Sequence, residues 1–490
     1  MLGNILKSIP AIPEFILSVS ALISLVIGTF KQKKIERLTI GATILGLVFL
    51  CVLLLLSDKS EQFFWNGLFI HMPFCVCSKI ILYSVSAVAL FCLFSFLGAY
   101  NIKQFEWLII ATFSVIGGSV ALSSNHFLTL FIGLEMSHLS QYLLVAADRD
   151  NQQSSEAAVK FFTIGAISTA FMLFGMSLIY GFTGTNFFNT LFYFFGTYVN
   201  DFEHAGAIVG MFFVLIGLCF KLPVAPFHTW APDVYQAAPL PIVLFIVTIP
   251  KIITVFSLLH LLTYPFYGIF TYWRYLFVGL AILSMVWGSL AALRQQNLRR
   301  MFAYSSVSDM GFLLMGPAMG GEFGLSSAII YIIFYALNML GVFSLLIIFE
   351  RSIKPINDIK DLSGIMQSMP MLGSLFCLFI LSFAGIPPMP GFFAKIYVLE
   401  SVITRSAYFM GIVAVITTVI SAAYYLNVLK FFVLSQSVLK VNRVNQVNSL
   451  RKYVVKTIVA FIFLILCLMV IFPFRLLELA RSMAVSILFQ

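Results

Sequence analysis

The sequence reads FKLPVAPFHTWAPDVY over residues 220–235. These residues end an apolar run, Ala205–Tyr235, that is longer than the ~20 residues with which a helix crosses a bilayer. Lys221 lies near the middle of the run, and Pro223 and Pro226 follow it closely. Proline breaks a helix interior because it removes a backbone donor and clashes with the preceding turn. The stretch therefore predicts a membrane helix that is interrupted at mid-depth, beside a charged side chain.

The composition of the whole chain is typical of a membrane protein. Of its 490 residues, 61% are hydrophobic and only 10% are charged, and the mean hydropathy is +1.02. A soluble domain carries about 25% charged residues. This chain has too few charges to cover a soluble surface, and its apolar content is too high for a disordered protein. We therefore expect an all-α polytopic membrane protein.

The hydropathy pattern predicts about fourteen transmembrane helices. They cover residues 12–30, 37–57, 78–98, 106–123, 124–146, 157–183, 205–235, 241–263, 274–294, 300–318, 324–350, 367–404, 407–430 and 454–474. No soluble domain is inserted between them, and an interfacial helix is expected at the end of the chain. Lys and Arg are concentrated in the loops that follow odd-numbered spans, which places those loops in the cytoplasm or matrix. Both termini are then expected on the positive side, in the periplasm or intermembrane space.

A second overlong run, Gln367–Arg405, contains GIPPMPG at residues 385–391, and Lys395 follows this break. A matched pair of proline-interrupted spans indicates a transporter's internal repeat and its ion path. The interrupted helices are spans seven and twelve, and this odd offset implies two inverted five-helix repeats, spans 4–8 and 9–13. The predicted domains are an N-terminal three-helix segment, a first and a second antiporter-like repeat, and a C-terminal helix with its tail. Their bounds are 1–105, 106–265, 266–430 and 431–490.

Five ionisable residues are expected deep in the membrane. Glu135, Lys251 and Asp309 lie near the middle of spans five, eight and ten, and Lys221 and Lys395 lie in the two overlong runs. A charge at the bilayer centre costs roughly 2.5–3.5 kcal/mol on insertion scales, so such residues are functional by default. One buried ion pair could serve helix packing alone. Several titratable groups at one depth, on separate helices, favour a charge relay instead.

Three further residues are supporting candidates, each with a second interpretation. His138 lies one helical turn after Glu135, where it could tune that carboxylate or simply pack. His228 follows the first break, as a proton contact near the surface or as an interfacial cap. Lys160 lies four residues after Glu156 and could simply pair with it.

Other kinds of site are not indicated. The seven cysteines and six histidines show neither C-x-x-C nor H-x-x-x-H spacing, and no nucleotide-binding glycine motif occurs. We therefore expect no metal, no cofactor and no catalytic residue in this chain. The net charge of +10 follows from the basic loops and predicts no nucleic-acid partner.

Residues 220–235 resemble the seventh-span signature of the antiporter-like membrane subunits of respiratory complex I, most of all chain N, which is subunit 2 in mitochondria. Four other stretches agree in order and spacing: GLE at 133–135, EAAVKFFTIG at 156–165, RMFAYSS at 300–306 and AGIPPMPGFFAKIY at 384–397. The sequence IPK at 249–251 and the lysine in span twelve favour chain N over its sister chain M, which has a glutamate there. The resemblance covers about residues 100–430.

The resemblance implies roles for the buried residues. Glu135 and Lys221 would form the pair of one half-channel, with Lys160 close by. Lys251 would be the central connecting lysine, and Lys395 the lysine of the second half. The chain would be a proton-translocating, non-redox subunit of NADH:ubiquinone oxidoreductase in a mitochondrial or bacterial inner membrane. NADH, FMN, iron–sulfur clusters and quinone would be held by partner subunits. Its own partners would be other membrane-arm subunits, lipids and protons.

This chain departs from the family pattern at two positions, and two alternative functions stay open. Gln236 stands where the family usually has glutamate, and Asp309 stands where it tends to place histidine. Spacing does not decide whether Asp309 pairs with Lys395 or with Lys251. The alternatives to a complex I subunit are a subunit of a stand-alone Na⁺/H⁺ antiporter or membrane-bound hydrogenase of the same fold, and a membrane scaffold without transport.

Overall fold

The structure, a computed structural model, describes residues 12–28, 33–57, 60–97, 104–148, 150–196, 202–352, 356–435 and 449–488. The described residues form nineteen α-helices and one short hairpin. The helices are α1 Ile12–Gly28, α2 Lys33–Leu56, α3 Pro73–Leu97, α4 Gln104–Leu122, α5 Phe127–Val145, α6 Gln152–Thr183, α7 Phe188–Gly196, α8 Phe202–Lys221, α9 Trp230–Ala237, α10 Leu240–Thr263, α11 Phe270–Leu293, α12 Leu298–Met319, α13 Gly321–Ser352, α14 Ile365–Ser368, α15 Pro370–Ala384, α16 Pro390–Thr404, α17 Tyr408–Leu434, α18 Ser449–Ile471 and α19 Pro473–Leu488. The strands are β1 Gln62–Phe64 and β2 Phe69–His71, and 3₁₀ turns occur at Tyr267–Ile269 and Ile359–Leu362.

Each of the fourteen predicted spans corresponds to a helix or to a broken pair of helices. Span seven is divided into α8 and α9, and span twelve into α15 and α16, at the two proline-rich stretches. Among the described residues, nine helices are long and apolar enough to cross a membrane, and four shorter apolar helices accompany them. The all-α polytopic class is therefore confirmed. The tail beyond span fourteen is also helical, as α19.

Two local elements were not predicted. The antiparallel pair β1–β2 and the nine-residue helix α7 both flank the loop between α4 and α5. Ile70 donates a backbone hydrogen bond to Ser123 O at 2.9 Å, and Phe188 donates one to Asn125 O at 3.0 Å. These bonds hold the start of α5, the helix that carries Glu135.

The described chain divides into two compact units. The first consists of Met1–Leu222, Phe245–Trp273 and Ser482–Gln490, and the second of Pro223–Leu244 and Arg274–Arg481. Glu135, Lys221 and Lys251 belong to the first unit. Asp309 and Lys395 belong to the second. The predicted four-part division at residues 105, 265 and 430 stays a prediction.

In the first unit, glycines bring pairs of helices into close contact. A Cβ atom on Gly117 of α4 would lie 2.6 Å from Gly133 O of α5. A Cβ on Gly175 of α6 would lie 2.5 Å from Gly210 O of α8. Small residues at such crossings let helix backbones approach closely. Helix association in membranes depends on the van der Waals packing that this close approach allows. The α6–α8 crossing lets the helix that ends in Lys221 pack directly against α6.

In the second unit, α12 and α13 meet in the same way. A Cβ on Gly316 would lie 2.6 Å from Gly324 O. A further close approach is at the second break, where Gly391 donates its backbone N–H to the Ser382 hydroxyl at 2.9 Å. The ends of α15 and α16 are thereby held together, although the chain between them is not helical.

Replacement of Gly175 by alanine should destabilise the protein, because the new methyl group meets the backbone of α8. Overpacking of this kind costs about 1–3 kcal/mol, so the thermal unfolding midpoint of the detergent-solubilised protein should fall by several degrees. Gly181→Ala is the matched control, since Gly181 lies on the same helix and, among the described residues, its new methyl group would meet no atom outside the local helix backbone within 4 Å. An unchanged midpoint for Gly175→Ala would contradict the close approach of α6 and α8.

Candidate functional site

A buried ion pair joins α5 and α8 in the first unit. Lys221 Nζ lies 2.7 Å from Glu135 Oε1. The lysine side chain is 1% exposed and the glutamate side chain 15%. The structure thus brings together the two residues that the resemblance pairs.

The position of Lys221 follows from the break in its helix. Lys221 is the last residue of α8, and the turn that follows contains Pro223. The carbonyl groups at a helix C-terminus lack intrahelical partners and carry partial negative charge, which favours a cation there. The proline therefore places the lysine both at mid-span and at a helix end that stabilises its charge.

Thr169 on α6 is a third member of this site, which the sequence analysis missed. Its hydroxyl lies 2.9 Å from Glu135 Oε1, to which it donates, and 3.0 Å from Gly165 O. One residue earlier, Ser168 donates to Gly217 O of α8 at 2.7 Å. No spacing signal connects Thr169 with Glu135, because the two lie on different helices whose pairing only the packing decides.

His138 is buried on the same helix as Glu135. Its Nδ1 forms a 2.7 Å hydrogen bond with Leu134 O, one turn earlier in α5. Its Nε2 is buried and has no hydrogen-bond partner within the part of the chain that the structure describes. The supporting role predicted for His138 stays a prediction.

Lys160 lies at the surface of α6. It forms an ion pair with Glu156 at 2.8 Å, and the two side chains are 49% and 63% exposed. Nine residues separate Lys160 from Thr169, which at 1.5 Å per residue is about 13 Å along the helix. The structure shows the simple i, i+4 pair with Glu156. The predicted position of Lys160 beside the Glu135 pair stays a prediction.

Lys251 lies in α10, in which every residue is buried. Lys251 itself is 2% exposed. Helix α4 packs tightly beside it, since a Cβ on Gly118 would lie 2.3 Å from Ile253 Cδ1. Lys251 is thus enclosed by protein, and its predicted depth in the membrane stays a prediction.

In the second unit, Lys395 reaches back across the break from α16. Its Nζ donates to Phe383 O of α15 at 2.9 Å and lies 5.8 Å from the centre of the Phe312 ring. Phe383 is in the last turn of α15, so the lysine binds a carbonyl that the break has released. The lysine is 7% exposed.

Asp309 on α12 accepts a hydrogen bond from the Tyr331 hydroxyl of α13 at 2.9 Å. Asp309 and Lys395 line one small cavity within the second unit. Of the two partners considered for Asp309, this arrangement favours Lys395.

The remaining residues of the first break lie in the second unit. The buried His228 ring has its centre 6.1 Å from those of Trp287 and Tyr304, edge-on to both. Arg300 donates to Asp233 at 2.8 Å and to Gln236 at 3.0 Å. Gln236, which replaces the family's usual glutamate, thus lies beside an arginine whose counter-charge Asp233 supplies. The role predicted for His228 stays a prediction.

A second buried ion pair, absent from the sequence analysis, lies among α1, α3 and α4. Lys79 Nζ is 2.5 Å from Glu14 Oε1, and Ser119 donates to the same oxygen at 2.6 Å. Tyr83 in turn donates to Ser119 at 2.8 Å. Hydropathy alone assigns Lys79 to a loop, because Glu14 and Lys79 each lie near the end of an apolar run.

Comparisons with known proteins show the family to which this chain is related. A family profile described as NADH:quinone oxidoreductase/Mrp antiporter, TM, matches residues 124–421. NADH-quinone oxidoreductase subunit N of Granulibacter bethesdensis is 34% identical over 428 residues, which is 86% of this chain and 88% of that protein. The same subunit of Pelagibacter ubique is 35% identical over 424 residues, 86% of this chain and 88% of that one.

Solved structures share the fold. A chain of respiratory complex I from Thermus thermophilus, with bound aureothin, has a TM-score of 0.78 at 26% identity and covers 96% of this chain and 99% of its own. A chain of the Mrp complex from Dietzia has a TM-score of 0.82 at 19% identity and covers 100% and 98%. The arrangement of the helices and the buried charges places this chain in the class of antiporter-like membrane subunits. The chain belongs to the NADH:quinone oxidoreductase/Mrp antiporter family.

Removal of one partner of the Glu135–Lys221 pair should leave an uncompensated buried charge. Glu135→Gln alone and Lys221→Met alone are each expected to destabilise the protein by about 3–5 kcal/mol, and the double variant should recover most of that loss. The measurement is a double-mutant cycle on the thermal unfolding of the solubilised protein.

Ser140→Ala is the control for this cycle, because among the described residues the Ser140 hydroxyl bonds only the Met136 carbonyl of its own helix. Additive effects of the two substitutions would show that Glu135 and Lys221 do not contact each other.

Proposed function

We propose that this chain is the proton-translocating membrane-arm subunit of an NADH:quinone oxidoreductase, respiratory complex I. One observation carries the proposal: a buried glutamate–lysine ion pair lies at the end of a broken helix. It occurs in a chain with relatives named NADH-quinone oxidoreductase subunit N over 86% of its length. Glu135, Lys221, Lys251 and Lys395 are the residues that we assign to proton transfer.

The chemistry of the pair supports this assignment. Together, the ionised Glu135 and Lys221 carry no net charge, so the pair is tolerated in the low-dielectric interior. A proton added to the carboxylate or lost from the ammonium changes the charge of the site by one. Because an uncompensated charge at that depth is costly, such a change favours a compensating proton movement at another buried group, for which we propose Lys251.

The chain itself performs no redox chemistry in this proposal. NADH, FMN, iron–sulfur clusters and quinone belong to partner subunits, and electron transfer there supplies the free energy. Each proton moved against the membrane potential requires about 2.3 kcal/mol per 100 mV. The partners are the other membrane-arm subunits and the lipids that surround them.

The proposed location is a bacterial inner membrane, or its mitochondrial counterpart. The bacterial sources of the relatives support the former. The distribution of Lys and Arg supports an orientation with both termini on the positive side.

A subunit of a stand-alone Na⁺/H⁺ antiporter or of a membrane-bound hydrogenase is the second candidate. The similarity to the Mrp complex supports a common fold at 19% identity. The named relatives at 34–35% identity favour the complex I subunit.

The first test is which complex the chain assembles into. Native membranes solubilised in mild detergent and separated on a native gel should show the chain in a very large band that stains for NADH oxidation. Its presence in a smaller band without that activity would support the antiporter subunit, and sodium-dependent proton flux would then be the assay.

Lys221→Ala and Lys395→Ala should each abolish or strongly reduce NADH-driven proton uptake into membrane vesicles, because each removes a group that carries the proton. Removal of a proton-transfer group slows its step by on the order of 100-fold. Ser421→Ala is the control, since Ser421 is buried and, within the described part of the chain, its hydroxyl bonds only the Thr418 carbonyl of its own helix. Normal pumping by both lysine variants, at normal assembly, would disprove the assignment.

A further inference from the structure

A small cavity in the second unit has charged and polar side chains in its wall. Its volume is about 20 Å³. Its polar lining comes from four helices: α12, α13, α15 and α16. The polar residues that line it are Asp309, Tyr331, Tyr335, Asn338, Ser382 and Lys395.

The cavity has the size and the chemistry to hold a water molecule. A water needs at least about 10–15 Å³ of such space and two to four polar partners. The ammonium group of Lys395 is a donor, and the carboxylate of Asp309 is an acceptor. Asn338 is 2% exposed, and its Oδ1 has no hydrogen-bond partner among the residues that the structure describes. A buried carbonyl oxygen in this condition costs free energy that a bound water would recover.

Other contacts hold the two charged side chains at the wall of this cavity. Lys395 Nζ donates to Phe383 O at 2.9 Å, and the Tyr331 hydroxyl donates to Asp309 Oδ1 at 2.9 Å. Each side chain is 7% exposed. The two groups are thus oriented by neighbours on α15 and α13, and the cavity that they share offers a route between them.

We propose that Asp309 and Lys395 exchange a proton through one water molecule held in this cavity by Asn338. This inference rests on the function proposed above and adds Asp309 to it as a proton-carrying residue. In the forward step, an N–H bond of Lys395 breaks as its proton passes to the water. An O–H bond of the same water breaks as a proton passes to Asp309. The lysine becomes a neutral amine, the aspartate a neutral acid, and the water is restored.

The geometry differs from that of the first unit. There, Glu135 and Lys221 are in direct contact at 2.7 Å, and Thr169 orients the carboxylate. In the second unit the acid is oriented by Tyr331, and the lysine by a main-chain carbonyl. A water between them would let the proton move without rearrangement of either side chain.

Asp309→Asn separates this role from a purely structural one. The amide oxygen still accepts the hydrogen bond from Tyr331, so the contact between α12 and α13 is retained, but the side chain no longer takes up a proton. We expect NADH-driven proton uptake by the assembled complex in vesicles to fall by at least about tenfold, since the group serves a proton-transfer step. Asp309→Glu should restore part of the rate, because it restores a carboxylate.

Asn338→Leu tests the water directly. The substitution keeps a similar volume and removes the amide that holds the water, so proton uptake should fall as it does in Asp309→Asn. High-resolution cryo-electron microscopy of the wild-type complex should show one water within hydrogen-bond distance of Asn338, and the Leu variant should lack it. Ser421→Ala again serves as the control. Wild-type density without a water in the cavity would overturn the proposal.

The same assay separates failure of this inference from failure of the proposed function. Reduced uptake in both Lys395→Ala and Asp309→Asn supports the inference. Normal uptake in Asp309→Asn, with uptake lost in Lys395→Ala, overturns the inference and leaves the proposed function intact. Normal uptake in both variants overturns both.

Discussion

The cost of a charge in a low-dielectric interior is the constraint on which the rest of this structure depends. Lys221 is 1% exposed and lies 2.7 Å from Glu135. Two features compensate its charge: the carboxylate on α5 and the C-terminus of α8, where carbonyl groups lack intrahelical partners. The close α6–α8 crossing, the Thr169 hydrogen bond and the proline-rich break all serve to keep these groups in place.

The two broken helices meet this constraint by different routes. Lys221 is itself the end of α8, whereas Lys395 lies in α16 and reaches back to Phe383 O, in the last turn of α15. In both cases an interrupted helix places partial negative charge beside a lysine that the bilayer would otherwise exclude. The two units therefore share an electrostatic principle but not a geometry. In the first unit, Glu135 on α5 contacts Lys221 directly. In the second unit, the acid is Asp309 on α12, and it shares a water-sized cavity with Lys395.

Much of the fold could be predicted from local patterns. Apolar runs predicted the helices, and prolines at 223, 226, 387, 388 and 390 predicted the two breaks. The pairing of Glu135 with Lys221 came from the family resemblance. Hydropathy missed Glu14 and Lys79, because a charged residue near the end of an apolar run looks the same whether it lies in a loop or in a buried pair. Thr169 and Tyr331 were missed because a single hydroxyl on a helix carries no periodic signal.

By itself the sequence determined which segments form the long helices and where two of them break, since each of these depends on neighbours along the chain. Only the tertiary structure decided which side chains meet. Thr169 binds Glu135 because α6 packs on α5, where Gly165 leaves room for the side chain of Tyr142. Asp309 and Lys395 share a cavity because α12, α13, α15 and α16 converge on it. Contacts between residues so far apart along the chain depend on helix packing, which no local pattern encodes.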